Sequence, residues 1–176
     1  MRLHSTVTVF ALAVFLAGSG LALRAIAAPP ATFRVAGAVE APGEWSVERI
    51  EKELPTEIRV LPYKLKGEDH TARCIPLMTL LRAAKPRVEP TRKNALLAFT
   101  VTAKARDGYA VSFSLGELLP EGGNREVWLA LDADGKDLSE EAAPVRLLVP
   151  GDTKPARWLF GIASLTLVNG AEAAKG

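Results

Sequence analysis

A single cysteine and two histidines limit what this 176-residue chain can do. One cysteine excludes an internal disulfide, so stability has to come from a hydrophobic core. Hydrophobic residues make up 48% of the chain, which makes such a core feasible at this length. With His70 the only histidine beyond the first few residues, a zinc site of His and Cys would rest almost wholly on carboxylates. Several enzyme signatures are missing as well: GxSxG, a phosphate loop ending in GK[ST], HExxH and a dinucleotide-binding glycine run. Charge of one sign is also lacking. The first 27 residues hold Arg2 and Arg24 and no acid, so without them 20 basic residues face 20 acidic ones. A nearly neutral chain gives no case for a nucleic-acid partner.

What is present begins with a leader. Arg2 and His4 precede a largely apolar run from Val7 to Leu23, and Ala25-Ile26-Ala27 follows. A basic start, an apolar centre and small residues before the cut describe a secretory signal peptide over residues 1–27, cleaved after Ala27. Pro29 disfavours a cut after Ala28. The alternative is an uncleaved anchor, but Gly18-Ser19-Gly20 interrupts the run, and a spanning helix needs about 20 apolar residues. The expectation is export to the periplasm or the exterior, with no stable membrane span after cleavage. One domain over residues 28–170 and a disordered tail over 171–176 complete the organisation.

Strands dominate the rest. Period-two alternation marks Thr32 to Glu40, Ile58 to Leu65 (with Pro62 implying an edge or a bulge) and Leu96 to Ala103. Asp107-Gly108 predicts a tight turn into Tyr109 to Phe113, and Val127 to Leu131 is a further strand before the Asp134-Gly135 turn. Ser46 is a suitable N-cap for a helix over Val47 to Leu54, ended by Pro55. A second helix is expected over Ile75 to Ala84, and Ser114 to Glu117 fits a capping box. Two short apolar runs near the C-terminus, Val145 to Val149 and Ile162 to Val168, read as buried strands. With no regular βαβ rhythm, the fold class is α+β, with a mixed, mainly antiparallel sheet and short helices.

The candidate chemistry lies between those last two strands. Lys154 and Arg157 flank Pro155-Ala156 in a turn expected to carry free backbone N–H groups, and Arg146 precedes it. Arg supplies a planar fork and Lys a point charge for phosphate or carboxylate. The alternative is salt bridging to the acidic edge Glu140-Glu141. Cys74 could be a metal thiolate or a small buried hydrophobe. Tyr109 could present a phenol as a proton relay or be a hairpin aromatic. His70, after Glu68 and Asp69, could steer a partner or be an exposed loop residue.

These residues also carry a resemblance. The order Asp107 to Leu115, Val127-Trp128-Leu129-Ala130, Gly135, Pro144 to Gly151 and Lys154 to Leu159 is similar to the second half of the sulfite oxidase-type molybdopterin-binding domain. That family's pattern has a G-Y strand, then G-x-P-[VA]-R-[LV]-[VL]-[VL]-P-G and a basic segment ending K-W-[LIV]. Val35-x-Gly37-x-Val39 with Pro42-Gly43, and Ile75-Pro76-Leu77 with Leu80-Leu81, resemble its opening strand and its G-V-P-L helix.

The resemblance implies an oxidoreductase fold that binds molybdopterin, with Arg157 and Lys154 near the pterin phosphate, Arg146 in the same cationic set, and Tyr109 at an active-site phenol. The family's metal-ligating cysteine belongs in the segment matching Val60 to Glu68, which has none, so no metal ligand is assigned and Cys74 is only an alternative. The leading expectation is an exported, non-catalytic or weakly cofactor-binding module for a pterin or other anionic small molecule, with a protein partner. The second is an active molybdenum-dependent oxidoreductase acting on a small oxo-substrate, with Cys74 as ligand and Tyr109 as proton donor. The third is a structural or interaction domain with an empty pocket.

Overall fold

Alternating apolar residues build the strands where the sequence places them, and the pairing divides them between two main sheets. The computed structural model describes residues 32–173; the leader, its cleavage point and residues 174–176 lie outside these. The elements are β1 (Thr32–Gly37), β2 (Gly43–Ser46), α1 (Val47–Glu53), β3 (Arg59–Leu65), β4 (Glu68–Pro76), α2 (Leu77–Ala83), β5 (Phe99–Ala105), β6 (Ala110–Ser114), α3 (Leu115–Leu118), β7 (Trp128–Ala130), β8 (Asp132–Ala133), β9 (Lys136–Asp137), β10 (Arg146–Leu148), β11 (Ile162–Asn169) and α4 (Gly170–Ala173). One sheet has the order β2-β1-β11-β5-β6, the other β10-β7-β4-β3, and β8-β9 is a small hairpin. The β1–β11 pair is parallel and the other strand pairs are antiparallel. The class is α+β with mixed, mainly antiparallel sheets.

The core lies between the main sheets. Phe33, Val35, Val101, Phe113, Leu165 and Leu167 meet Ile75, Leu77, Leu81, Leu129 and Leu147 there, all almost fully buried. Each such side chain contributes roughly 1.5–3 kcal/mol by leaving water. Period two then sets the opposite face of the second sheet. Leu129 and Leu147 point into the main core, so Ala130, Arg146 and Leu148 belong to the other side, where Tyr63, Ala72 and Cys74 form a second small cluster with Ala130 and Leu148.

Local chemistry holds the helix starts. Ser46 Oγ accepts from Arg49 N at 3.1 Å, and Pro55 stops α1 and opens a short 3-10 turn. At α3 the box closes both ways: Ser114 Oγ accepts from Gly116 N and Glu117 Oε1 from Ser114 N, each at 3.1 Å.

Three expectations need correction. Glu68 to Pro76 form β4, the strand between β3 and β7, so His70 is a strand residue and not a loop one. Ile75 lies in that strand, and helix begins at Leu77. The polar letters of Glu68 to Arg73 hide this strand, because its backbone is fixed by pairing with β3 over seven residue pairs rather than by apolar alternation. The chain from Gly170 to Ala173 makes a helical turn where an unstructured tail was expected from Ala171; Asn169 Oδ1 accepts from Ala171 N and starts it. Among the described residues no helix is long and apolar enough to cross a membrane.

Gly37 tests the join of β1 to β11. Its φ is +90° and a Cβ would stand 2.0 Å from Leu167 O, whereas Gly108 has φ +92° and open space. Backbone strain alone predicts a loss of about 1–2 kcal/mol for Gly108→Ala. The added collision raises the loss for Gly37→Ala to about 3 kcal/mol or more. Urea unfolding midpoints of the two variants, at unchanged m, check the difference.

Candidate functional site

The three cations expected to act together are separated by the fold. Lys154 stands exposed at the start of the turn, while Arg157 is bound to a carboxylate of its own loop. Arg157 Nε donates to Asp152 Oδ2 at 2.7 Å, and its Nη2 donates to Oδ1 of the same group. Arg125 Nη1 also donates to Asp152 Oδ1, at 3.1 Å, and Arg125 Nε lies 3.6 Å from Glu117. The guanidinium of Arg157 rests on the Phe113 ring, 5.0 Å from its centroid. The fork is therefore already filled, and the partner is Asp152 rather than the Glu140-Glu141 edge. Hydrogen bonding from Arg157 holds the Asp152 carboxyl below its ordinary pKa and raises that of Arg157.

Part of the turn's backbone is occupied as well. Asp152 N donates to Val149 O, Ala156 N to Lys154 O and Trp158 N to Pro155 O, so these expected anion donors serve the turn itself. Tyr109 Oη donates to Ala156 O at 2.9 Å with its ring about half exposed, which ties the β5–β6 hairpin to the basic turn.

Arg146 has a different environment. It is 4% exposed, on the face of the second sheet turned away from the main core. The register Cys74↔Ala130↔Arg146 puts these residues in one row across β4, β7 and β10. Aromatic rings wall the guanidinium: Phe160 at 4.2 Å from its centroid, Tyr63 at 5.3 Å and Trp158 at 5.7 Å. Nη1 donates to Tyr63 Oη at a long 3.4 Å. Nε and Nη2, the edge that presents a fork to an oxyanion, have no partner among the described residues, and no carboxylate there ion-pairs with Arg146. A buried cation without a counter-charge costs several kcal/mol, offset only in part by the π faces. Burial lowers the pKa of Arg146, and it raises that of Tyr63 against the pull of the cation.

Cys74 sits in the same cluster and is fully buried. Its Sγ donates to Ala72 O at 3.5 Å, and burial, reinforced by the Asp132 charge, pushes the thiol pKa up to about 12. It is a protonated, walled-in thiol at neutral pH. No group of three or more His, Cys, Asp or Glu side chains suited to a metal occurs among the described residues.

Sequence reasoning missed the company of Arg146. Tyr63 lies in the segment noted only for lacking a cysteine, and its ring is also stacked with His70, centroids 5.4 Å apart. His70 is a strand residue whose Nδ1 meets Asp134 Oδ2 at 2.8 Å, and Thr71 N donates to Asp134 Oδ1 at 2.8 Å. The bond from His70 holds the exposed Asp134 carboxyl below its ordinary pKa. The signal that could have found Tyr63 is the alternation Leu61, Tyr63, Leu65 on one face of β3; nothing local points to Phe160 or to Asp134.

Two outcomes follow from these environments. In the native protein Cys74 should resist iodoacetamide at about pH 8 and react fully once unfolded in guanidinium chloride. Asp152→Asn should cost about 2 kcal/mol at neutral pH, as a charge-assisted bond is lost. Because the folded pKa of Asp152 is depressed, the wild-type advantage is present above its ordinary carboxylate value, near pH 4, and is lost as pH falls through the lowered value. Denaturant melts of both proteins at about pH 7 and about pH 3 should show the gap closing.

Comparison with known proteins reaches the chain through its fold. No family model matches it, and no curated protein sequence does. Among solved structures, the crystal structure of the sulfane dehydrogenase SoxCD from Paracoccus pantotrophus superposes with a TM-score of 0.56 at 20% identity. The match covers 78% of this chain and 38% of that one. The chain thus spans well under half of the length of the dehydrogenase chain it matches, and what the two share at this identity is the fold.

Proposed function

We propose that this chain is an exported binding module on a sulfite oxidase-type molybdopterin-binding fold, with Arg146 receiving an anionic group and no molybdenum chemistry of its own. The observation that carries the reading is the buried guanidinium of Arg146, with Nε and Nη2 left without partners. An oxyanion on that edge would supply two charge-assisted hydrogen bonds and the missing counter-charge. Likeness in fold to a dehydrogenase, and the sequence resemblance around Pro144 to Leu159, favour the phosphate end of a molybdopterin or of another pterin as the natural occupant. The leader over residues 1–27 supports a periplasmic or extracellular location.

The residues present do not fit a molybdenum centre held by a protein thiolate. The family's ligand segment is here the β3–β4 hairpin, with Tyr63 turned into the small cluster. Cys74 is fully enclosed, and its thiol keeps its proton. No catalytic step is therefore assigned to Tyr109, whose hydroxyl donates to a backbone carbonyl.

The test is purification from cells with cofactor synthesis intact, followed by elemental analysis and thermal melts. Molybdenum well below one per chain is expected, with a rise in Tm of about 5 °C on adding a phosphorylated pterin at about a hundred times its Kd. Arg146→Met should abolish that rise. Stoichiometric molybdenum that disappears in Cys74→Ser would replace this reading with the active oxidoreductase, and no shift with any pterin would leave an interaction domain.

A further inference from the structure

The walls around Arg146 differ in how firmly they are held. Tyr63 is 7% exposed and is fixed between His70 on one side and Trp158 on the other, at centroid distances of 5.4 and 5.8 Å. Trp158 is anchored by its indole, which donates to Val149 O at 2.9 Å. Phe160 has no polar anchor. It is 38% exposed, yet its ring lies nearest the guanidinium of the three.

The backbone on both sides of Phe160 is pinned. Leu159 exchanges both backbone hydrogen bonds with Leu147, at 2.9 and 3.2 Å. Gly161 N donates to Ala142 O at 3.1 Å, and Gly161 O accepts from Arg106 N at 2.9 Å. Gly161 also takes φ +60° in a space where a Cβ would stand 2.5 Å from Glu141 O, so the backbone there is closely packed. What remains free is the Phe160 side chain, and exposed side chains change rotamer in picoseconds to nanoseconds.

We propose that Phe160 is a side-chain lid over Arg146, and that the site beneath it accepts the terminal phosphoryl group of a ligand when the ring swings outward. The inference rests on the reading that Arg146 receives an anion, and adds what controls entry and shape. With the ring down, the π face partly compensates the buried charge. With the ring out, a phosphoryl group replaces it on the free Nε and Nη2 edge, which matches two of its oxygens. Phe160 is thus a residue that sets specificity, and Arg146 the residue that binds.

Inorganic phosphate is the probe, titrated by calorimetry into the full chain and followed in parallel by tryptophan fluorescence, to which Trp158 contributes with Trp45 and Trp128. Removing the closed-state contact in Phe160→Ala should tighten phosphate binding by about tenfold relative to wild type. Phe160→Leu, which keeps bulk but removes the π face, should fall between them and serves if the alanine variant melts early. Arg146→Met in the Phe160→Ala background should abolish binding. Equal affinity in wild type and both Phe160 variants, still lost in Arg146→Met, would overturn the lid and leave the anion reading standing. Failure of phosphate to bind any of the proteins, or binding that survives Arg146→Met, would overturn the anion reading and the lid with it.

Discussion

The charge of Arg146 is carried into a region closed to water, with no carboxylate ion-paired to it among the described residues, and the outer face of the second sheet is arranged around that burden. Tyr63, Trp158 and Phe160 offer the cation their ring faces, and Tyr63 Oη accepts one long hydrogen bond from it. The residues across the row, Ala130 and Cys74, are small and apolar and leave the guanidinium room without answering its charge. Desolvation acts on Arg146, Tyr63 and Cys74. It lowers the pKa of Arg146, raises that of Tyr63 and keeps the Cys74 thiol protonated.

Elsewhere in the chain buried charge is answered. Asp132 is 6% exposed and accepts from both the backbone and the side chain of Arg73, which also reaches Glu51 on α1. Asp152 is shared between Arg157 and Arg125. Against that background the orphaned edge of Arg146 stands out chemically, since leaving such a group unpaired costs more than the net gain from pairing it. The basic turn from Lys154 to Arg157 is largely scaffolding: the Arg157 fork and the N–H groups of Asp152, Ala156 and Trp158 hold the Pro150 to Trp158 loop together, and the Ala156 carbonyl ties it to Tyr109. That loop in turn positions Trp158, and through the Leu159 pairing with Leu147 it positions Phe160.

Much of this was legible one residue at a time. The capping box at Ser114, the N-cap at Ser46, the Asp107-Gly108 hairpin and the edge strand marked by Pro62 each follow from local rules about backbone donors and allowed φ. β4 was not legible, because its polar stretch is made a strand by its neighbours. Arg146 was singled out for its fork and grouped with Lys154 and Arg157, from which its surroundings differ. Three cations within twelve positions read as one patch, while the sheet turns Arg146 to one face and the loop gives Arg157 to Asp152.

Composition and periodicity by themselves determined the α+β class, the reliance on an apolar core without disulfides, and the approximate place of most of the longer elements, since hydrophobic burial and turn stereochemistry act over a few residues. Tertiary structure decided which charges are satisfied. Tyr63 meets Arg146 across 83 positions and His70 meets Asp134 across 64, distances over which sequence spacing carries no information. Strand pairing brings such groups to hydrogen-bonding range and excludes water from them, and only then does a solvated arginine become an unpaired buried cation.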